Sequence, residues 1–263
     1  MIALSTVHKI ELNQNLKTIL KNPRNKDFVV HNIMTKRSPN GEPLVSTELV
    51  IAGNKTRNQF PKAKKYPLHF VKRYGPTSFH SDPKIEYDNS CKIAEILKNP
   101  MPIGFNSNTF RNAYLPGIPY EKISPFGIEP CERNLEIAQD VPFATQIALW
   151  QLMEDAYKQI KKLHKNGYAH GDLEKHNLIV CKQPIGLFLI DFESVKCLSD
   201  CDNSESECRK DLQTIFTEAI FIQSVLGKQN SALGKASFKA LDWIFKDPEP
   251  FKEILGKEGM PFS

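Results

Sequence analysis

The alternation of apolar and polar residues divides the chain into a first part rich in strands and a second part rich in helices. Short apolar runs bounded by turn residues predict strands. They lie at Asp27–Met34, Leu44–Ala52 and Leu68–Lys72, in two runs within Ile103–Leu115, and at Leu178–Val180 and Leu187–Ile190. Apolar residues spaced three and four positions apart predict helices. They lie within residues 1–25 and at Pro83–Asn99, Phe143–Lys165, Asp211–Val225 and Ala236–Phe245.

Polar stretches separate these elements. Lys36–Pro43 is a turn that would join the first two strands into a hairpin. Gly53–Pro67 is basic and is predicted to be an exposed insertion, and Asp202–Arg209 is predicted to be a mobile loop. The proline-rich residues 116–142 are predicted to be mostly connection.

The composition is that of a globular protein of 263 residues, with 40% hydrophobic and 25% charged residues. The net charge of +5 is explained by a modest excess of solvated lysine, and we expect no nucleic acid partner. We find no secretory signal peptide and no apolar window near the roughly 18 residues of a membrane helix. We therefore expect no membrane span, and a cytoplasmic location or secretion into a host cell without a cleaved signal peptide.

The strongest chemical signal is the segment H-G-D-x-x-x-x-N at residues 170–177, which follows the longest predicted helix. It places Asp172 and Asn177 on one loop, and the hairpin after it ends at Asp191. Magnesium prefers oxygen ligands, which Asn177 and Asp191 can supply. A separate carboxylate, Asp172, can take the proton of an acceptor hydroxyl. This set of side chains suits phosphoryl transfer.

The pattern, together with I-D-F at Ile190–Phe192, resembles the catalytic and metal-binding loops of the protein-kinase-like superfamily. The resemblance implies that Asp172 is the catalytic base and that Asn177 and Asp191 are magnesium ligands. It implies ATP and Mg as cofactors. His170 would be a structural residue of the loop.

The resemblance also implies a lysine on the third strand that binds the nucleotide's α- and β-phosphates, and a partner glutamate on the next helix. Lys72 follows an apolar run and fits the first role. Glu86 is our choice for the second role, with Glu95 as the alternative. A solvated lysine at a sheet edge and water-facing glutamates are the structural alternatives.

The implied fold is α+β, a bilobal protein-kinase-like fold. Residues 1–113 would form a nucleotide-covering N-terminal lobe, with a small antiparallel sheet and one helix. Residues 114–263 would form an abbreviated helical C-terminal lobe that carries the catalytic and metal-binding loops. Tyr114–Pro119 resembles the hinge-side segment of small atypical kinases, including bacterial effector kinases.

The implied function is a serine/threonine protein kinase acting as an effector, with a protein substrate and an activating host protein as partners. A kinase of an aminoglycoside, sugar or lipid stays open, because small-molecule kinases share the H-G-D form. A catalytically inactive binding module also stays open, since the predicted phosphate-covering loop contains only Gly41. Gly171 and Glu193 also depart from the kinase pattern, which commonly has arginine and glycine there.

Three cysteines and one aspartate after Asp191 are further candidates for a metal site or a structural role. Cys197, Cys201 and Cys208 offer three ligands at wide spacing, so free cysteines are favoured over a zinc site. Asp211 is predicted either to cap the helix that begins there or to tie the start of that helix to the catalytic loop.

Overall fold

The structure is a computed structural model that describes residues 14–76, 82–98, 102–115, 117–122, 124, 143–182 and 185–229. The chain divides into two compact units. The first comprises Met1–Gly117, Cys181–Gln183 and Asp191–Ser194, and the second comprises Ile118–Val180, Pro184–Ile190 and Val195–Ser263. Helices and an antiparallel sheet are both present, which confirms the α+β class. The predicted lobes, 1–113 and 114–263, stay a prediction.

An antiparallel sheet of five strands forms the framework of the first unit. Its strands are β1 (Phe28–Arg37), β2 (Pro43–Ile51), β3 (Leu68–Tyr74), β4 (Pro102–Asn106) and β5 (Thr109–Ala113). They lie in the order β1-β2-β3-β5-β4. All five match predicted strands, and β1 and β2 form the predicted hairpin. On the central strand, Lys72 pairs with Thr47 of β2 and Phe110 of β5. Because strand side chains alternate, Lys72 and Tyr74 share one face of β3.

The helices of this unit are α1 (Gln14–Lys21), α2 (Asn54–Gln59), α3 (Lys62–Lys65) and α4 (Pro83–Leu97). The start of α4 follows the prediction, since Asp82 Oδ1 accepts a hydrogen bond of 2.8 Å from the backbone N–H of Lys84. Pro83 occupies the first turn, where its missing N–H costs nothing. The helix ends at Leu97, and the C-cap residue Lys98 has a left-handed φ of 60°. These caps fix the register of α4 and therefore the direction of its first-turn residues.

The prediction that Gly53–Pro67 is an exposed insertion is correct for most of its polar side chains but not for the segment as a whole. The segment forms α2 and α3, and Ala63 is fully buried in a small apolar cluster. The other members of the cluster are Ala52, Ile103, Phe60 and Tyr66. Phe60, Ala63 and Tyr66 all reach this cluster, while the lysines between them are exposed.

Two long helices, α5 (Phe143–Lys165) and α6 (Ser204–Gln229), pack against each other in the second unit. The remaining strands are β6 (Gly117–Pro119), β7 (Tyr168–Ala169), β8 (Leu178–Lys182), β9 (Ile185–Leu189) and β10 (Lys196–Cys197). β8 lies between β6 and β9, and β7 pairs with β10. Buried apolar side chains of the two helices supply much of the core. They are Met153, Ala156, Ile160 and Leu163 of α5, and Leu212, Ile215, Phe216 and Ala219 of α6.

The prediction of a mobile loop at Asp202–Arg209 is wrong, because α6 begins at Ser204. The side chain of Asn203 accepts a hydrogen bond of 2.9 Å from the backbone N–H of Ser206, which caps the helix. Acidic and basic side chains three and four positions apart form ion pairs along these first turns, which helps a polar segment to be helical. Asp211 therefore lies about two turns inside α6 and does not cap it.

Two predictions lie partly, and one wholly, outside the described residues. They are the beginning of the N-terminal helix, most of the connection at residues 116–142, and the helix at Ala236–Phe245. Among the helices that the structure describes, none combines the length and the apolar character needed to cross a membrane.

Candidate active site

Lys72 lies among three carboxylates in the first unit, and we call Lys72, Glu86, Asp191 and Glu193 the Lys72 cluster. The Lys72 ammonium is 2.7 Å from Glu193 Oε2, 3.1 Å from Asp191 Oδ1 and 3.2 Å from Glu86 Oε2. One oxygen atom from each of the three carboxylates lies within 4.8 Å of the other two. One positive charge therefore faces three formal negative charges.

Glu86 is the most deeply buried carboxylate of the cluster, with 4% of its side chain exposed. It lies in the first turn of α4 and accepts a hydrogen bond from the hydroxyl of Tyr74, two residues beyond Lys72 on β3. Burial raises the pKa of Glu86 to about 7; Lys72 opposes the shift, whereas the Asp191 and Glu193 charges add to it. Burial also acts to lower the pKa of Lys72, but the surrounding carboxylates, led by Glu86, hold it well above its usual value. The ammonium is therefore the charge that keeps the cluster together.

A short turn brings Asp191 and Glu193 to Lys72. Phe192–Ser194 forms one turn of 3₁₀ helix, and Phe192 is buried. Asn89, on α4, donates a hydrogen bond of 3.1 Å from its side chain to the backbone oxygen of Phe192. Asp191 has a left-handed φ of 63°, a conformation that aspartate tolerates better than most residues. The turn thus presents both carboxylates to one lysine.

In the second unit, the predicted catalytic loop is held by Asp211. This buried carboxylate accepts hydrogen bonds from the backbone N–H groups of His170 (2.7 Å) and Gly171 (2.9 Å), and from Nε2 of His164 (2.9 Å). Of the two roles predicted for Asp211, the structure therefore has the tie to the loop. Gly171 has a φ of +82°, which disfavours the arginine common at this place in kinases.

The loop also holds the residue that precedes Asp191 in the chain. His170 is fully buried and donates from Nε2 to the backbone oxygen of Ile190 at 3.0 Å. The backbone N–H of Ile190 donates to the backbone oxygen of Asn177, also at 3.0 Å. Asn177 is buried, and its side-chain amide donates to the backbone oxygen of Asp172 at 2.9 Å. The side chain of Asp172 is exposed at the surface of this fixed loop.

A second buried carboxylate, Glu218 on α6, fixes the middle of the loop. Lys175 forms an ion pair of 2.5 Å with Glu218 Oε2. The hydroxyl groups of Tyr120 and Ser124 donate to Glu218 Oε1, the first at 3.0 Å. We call these four residues the Glu218 site. Lys175 is therefore paired with a buried carboxylate of α6.

The structure brings Lys72, Glu86 and Asp191 together, and it brings Asp172 and Asn177 together in one loop. Glu95, the alternative to Glu86, is exposed. Cys197, Cys201 and Cys208 form no disulfide, and among the described residues Glu86, Asp191 and Glu193 are grouped closely enough to hold a metal ion. The functional roles assigned to these residues stay predictions.

Sequence reasoning missed two contacts that shape the site. Glu193, noted only as a departure from a glycine, is the carboxylate nearest to Lys72. Its position two residues after Asp191 could have indicated that it lies near the same lysine. Lys175 and Glu218 are 43 positions apart (218 minus 175), and no local pattern links them.

Comparison with known proteins assigns no family, since no family model and no curated protein matches this chain.

Proposed function

We propose that this chain is an ATP-dependent phosphotransferase that transfers the γ-phosphoryl group to a serine or threonine hydroxyl of a protein. The proposal includes the two-lobed, protein-kinase-like architecture that the sequence implies. It also includes an effector role inside a host cell, with a host protein as activator. Asp172 would be the base, Asn177 and Asp191 the magnesium ligands, and Lys72 the phosphate-binding cation.

One observation carries the proposal: the Lys72 ammonium contacts both Glu86 and Asp191. Glu86 is the partner that the resemblance gives to this lysine, and Asp191 is one of the magnesium ligands that it implies. Lys72 and Asp191 are 119 positions apart, so no local pattern forces the contact. A solvated lysine at a sheet edge would not be largely buried on a central strand.

The side chains available fit ATP and magnesium. Asn177 and Asp191 would hold the ion through oxygen atoms, which are the ligands that magnesium prefers. When bound, magnesium would neutralise part of the phosphate charge. Lys72 would pair with the α- and β-phosphates, and its partner Glu86 would fix the direction of the ammonium.

The chemical step would depend on Asp172. Its backbone oxygen is fixed by Asn177, while its carboxylate is exposed and can accept a hydrogen bond from an acceptor hydroxyl. The carboxylate would orient this hydroxyl and accept its proton as the phosphoryl group is transferred. His170 and Asp211 would act by positioning the loop, without touching the substrate.

The proposal is tested with purified protein, labelled ATP, magnesium and a cell extract. Asp172→Ala and Asp191→Ala are each expected to reduce label incorporation by at least about 100-fold. Asp202→Ala, which removes an exposed carboxylate, is the matched control and should keep full incorporation. Equal labelling by all four proteins would remove the enzymatic function.

A kinase of a cationic small molecule is the second candidate. Glu174 is exposed two residues after Asp172, at a place where serine/threonine kinases often carry lysine. An acidic side chain there suits an acceptor with a positive charge. Label found only in small molecules of the extract would establish this candidate and exclude the protein kinase.

A further inference from the structure

Glu193 competes for the group that would bind the nucleotide. Its Oε2 lies 2.7 Å from the Lys72 ammonium, which is closer than Asp191 or Glu86. A charge-assisted contact of this length is a strong one. If Lys72 binds phosphate, as the proposed function requires, this contact must be exchanged for a phosphate oxygen.

The three carboxylates differ in their freedom to leave Lys72. Glu86 is almost fully buried and is also held by Tyr74. The Asp191 side chain is short and begins from a left-handed backbone. The Glu193 side chain is less exposed than that of Asp191 (25% against 37%), but it has one more rotatable bond, so its carboxylate can turn toward water without a change of the backbone. Glu193 is therefore the carboxylate that would leave Lys72 when a phosphate binds.

The charge of the cluster determines which form of the nucleotide can replace Glu193. A polyphosphate without a cation would bring several negative charges to a place that already has a net negative charge. Coulomb repulsion is strong at these distances because the groups are only partly exposed to water. A nucleotide complexed with a divalent cation brings compensating positive charge, and the carboxylates can accept that charge through oxygen atoms within 4.8 Å of one another.

We propose that Glu193 makes the site selective for metal-complexed nucleotide, by occupying Lys72 and repelling nucleotide that carries no divalent cation. This role rests on the proposed function, and it gives a reason for the glutamate at a place where kinases commonly have glycine. Glu193 is a specificity-determining residue in this proposal.

The test is calorimetric titration of ATP in excess EDTA and in excess magnesium. The proteins are the wild type, Glu193→Gln and Glu205→Gln, with thermal melting as a check of folding. Glu193→Gln keeps the shape of the side chain and should bind metal-free ATP about tenfold more tightly than the wild type. Its affinity for magnesium-ATP should change much less. Glu205→Gln makes the same substitution at a side chain that is 72% exposed, and should match the wild type.

The results separate this inference from the proposed function. Equal affinities of the wild type and Glu193→Gln for metal-free ATP would overturn the inference, even if both bind magnesium-ATP. No binding of magnesium-ATP by the wild type would overturn the proposed function itself. If Glu193→Gln does not fold, Glu193→Ala is titrated in the same way, and an affinity for metal-free ATP equal to that of the wild type would refute the inference.

Discussion

The Lys72 cluster of the first unit and the buried Asp211 of the second unit hold negative charge in opposite ways. At Asp211, one carboxylate receives three N–H donors, so its charge is well satisfied. At Lys72, three carboxylates share one ammonium, and negative charge is left over. A carboxylate whose hydrogen bonds are all made is stable as it is. A cluster with excess negative charge becomes more stable when it binds a cation or loses a carboxylate. The first arrangement suits a scaffold and the second suits a binding site.

Asp211→Asn should have the largest effect on stability. Both oxygens of the Asp211 carboxylate accept hydrogen bonds, but asparagine has only one side-chain oxygen. Its NH2 group would therefore face at least one N–H donor that now binds Asp211. Losing a buried, charged acceptor with several donors costs about 4 kcal/mol of unfolding free energy. Urea denaturation of the two proteins measures the difference. Asp202→Asn, at an exposed position, should change the unfolding free energy by less than about 0.5 kcal/mol. A similar small loss for Asp211→Asn would show that this carboxylate does not hold the loop.

Glu218→Gln should have the next largest effect. An amide at this position can still accept from Tyr120 and Ser124, but it no longer forms an ion pair with Lys175. Removing one partner of a buried pair is expected to cost about 3 kcal/mol of unfolding free energy.

A double-mutant cycle with Lys175→Met shows whether the stability lost in Glu218→Gln comes from the ion pair or from altered packing. If the ion pair is the cause, the double variant should lose less stability than the sum of the two single variants. Strictly additive losses would mean that Lys175 and Glu218 contribute independently.

The excess charge of the Lys72 cluster should appear as a pH dependence of stability. Burial raises the pKa of Glu86 to about 7 in the folded state, above the ordinary value of 4.5. The folded protein therefore binds this proton more tightly than the unfolded chain. The stabilisation from protonated Glu86 is complete below pH 4.5 and is lost as the pH rises through about 7.

Glu86→Gln removes this titration and isolates its effect. Between about pH 5 and about pH 8, the unfolding free energy of the wild type should fall by about 2 kcal/mol relative to that of the variant. Both are measured in urea with EDTA present. Parallel curves, or a wild type that gains stability relative to the variant as the pH rises, would contradict the raised pKa.

The sequence predicted the parts of the site that depend on local pattern. Lys72 follows a short apolar run, so its place on a strand could be inferred. Glu86 follows Asp82 and Pro83, which mark the start of a helix, and so its place in the first turn could be inferred as well. The resemblance then suggested that the two side chains meet, which local pattern alone could not have done.

The contacts that sequence reasoning missed depend on distant parts of the chain. Lys175 meets Glu218 only because α6 packs beside the loop, and nothing near either residue indicates it. The start of α6 was missed for another reason. Its first turns are polar, and they are stabilised by ion pairs and by the Asn203 cap instead of by buried apolar residues. A prediction based on apolar periodicity therefore begins this helix too late.

Asn89→Ala should have the smallest effect on stability and a larger one on the proposed binding. The variant loses one hydrogen bond to the backbone of Phe192, which is worth about 1 kcal/mol of unfolding free energy. The same bond orients the turn that presents Asp191 and Glu193 to Lys72. If nucleotide binding requires Asp191 and Glu193 to be held in place, Asn89→Ala should weaken magnesium-ATP binding about tenfold while the protein stays folded. Asp88→Ala, on the same helix but partly exposed, should leave both quantities nearly unchanged. An unaltered nucleotide affinity in Asn89→Ala would mean that the turn needs no support from α4, and that covalent attachment to the loop through Ile190 is enough to position the two carboxylates.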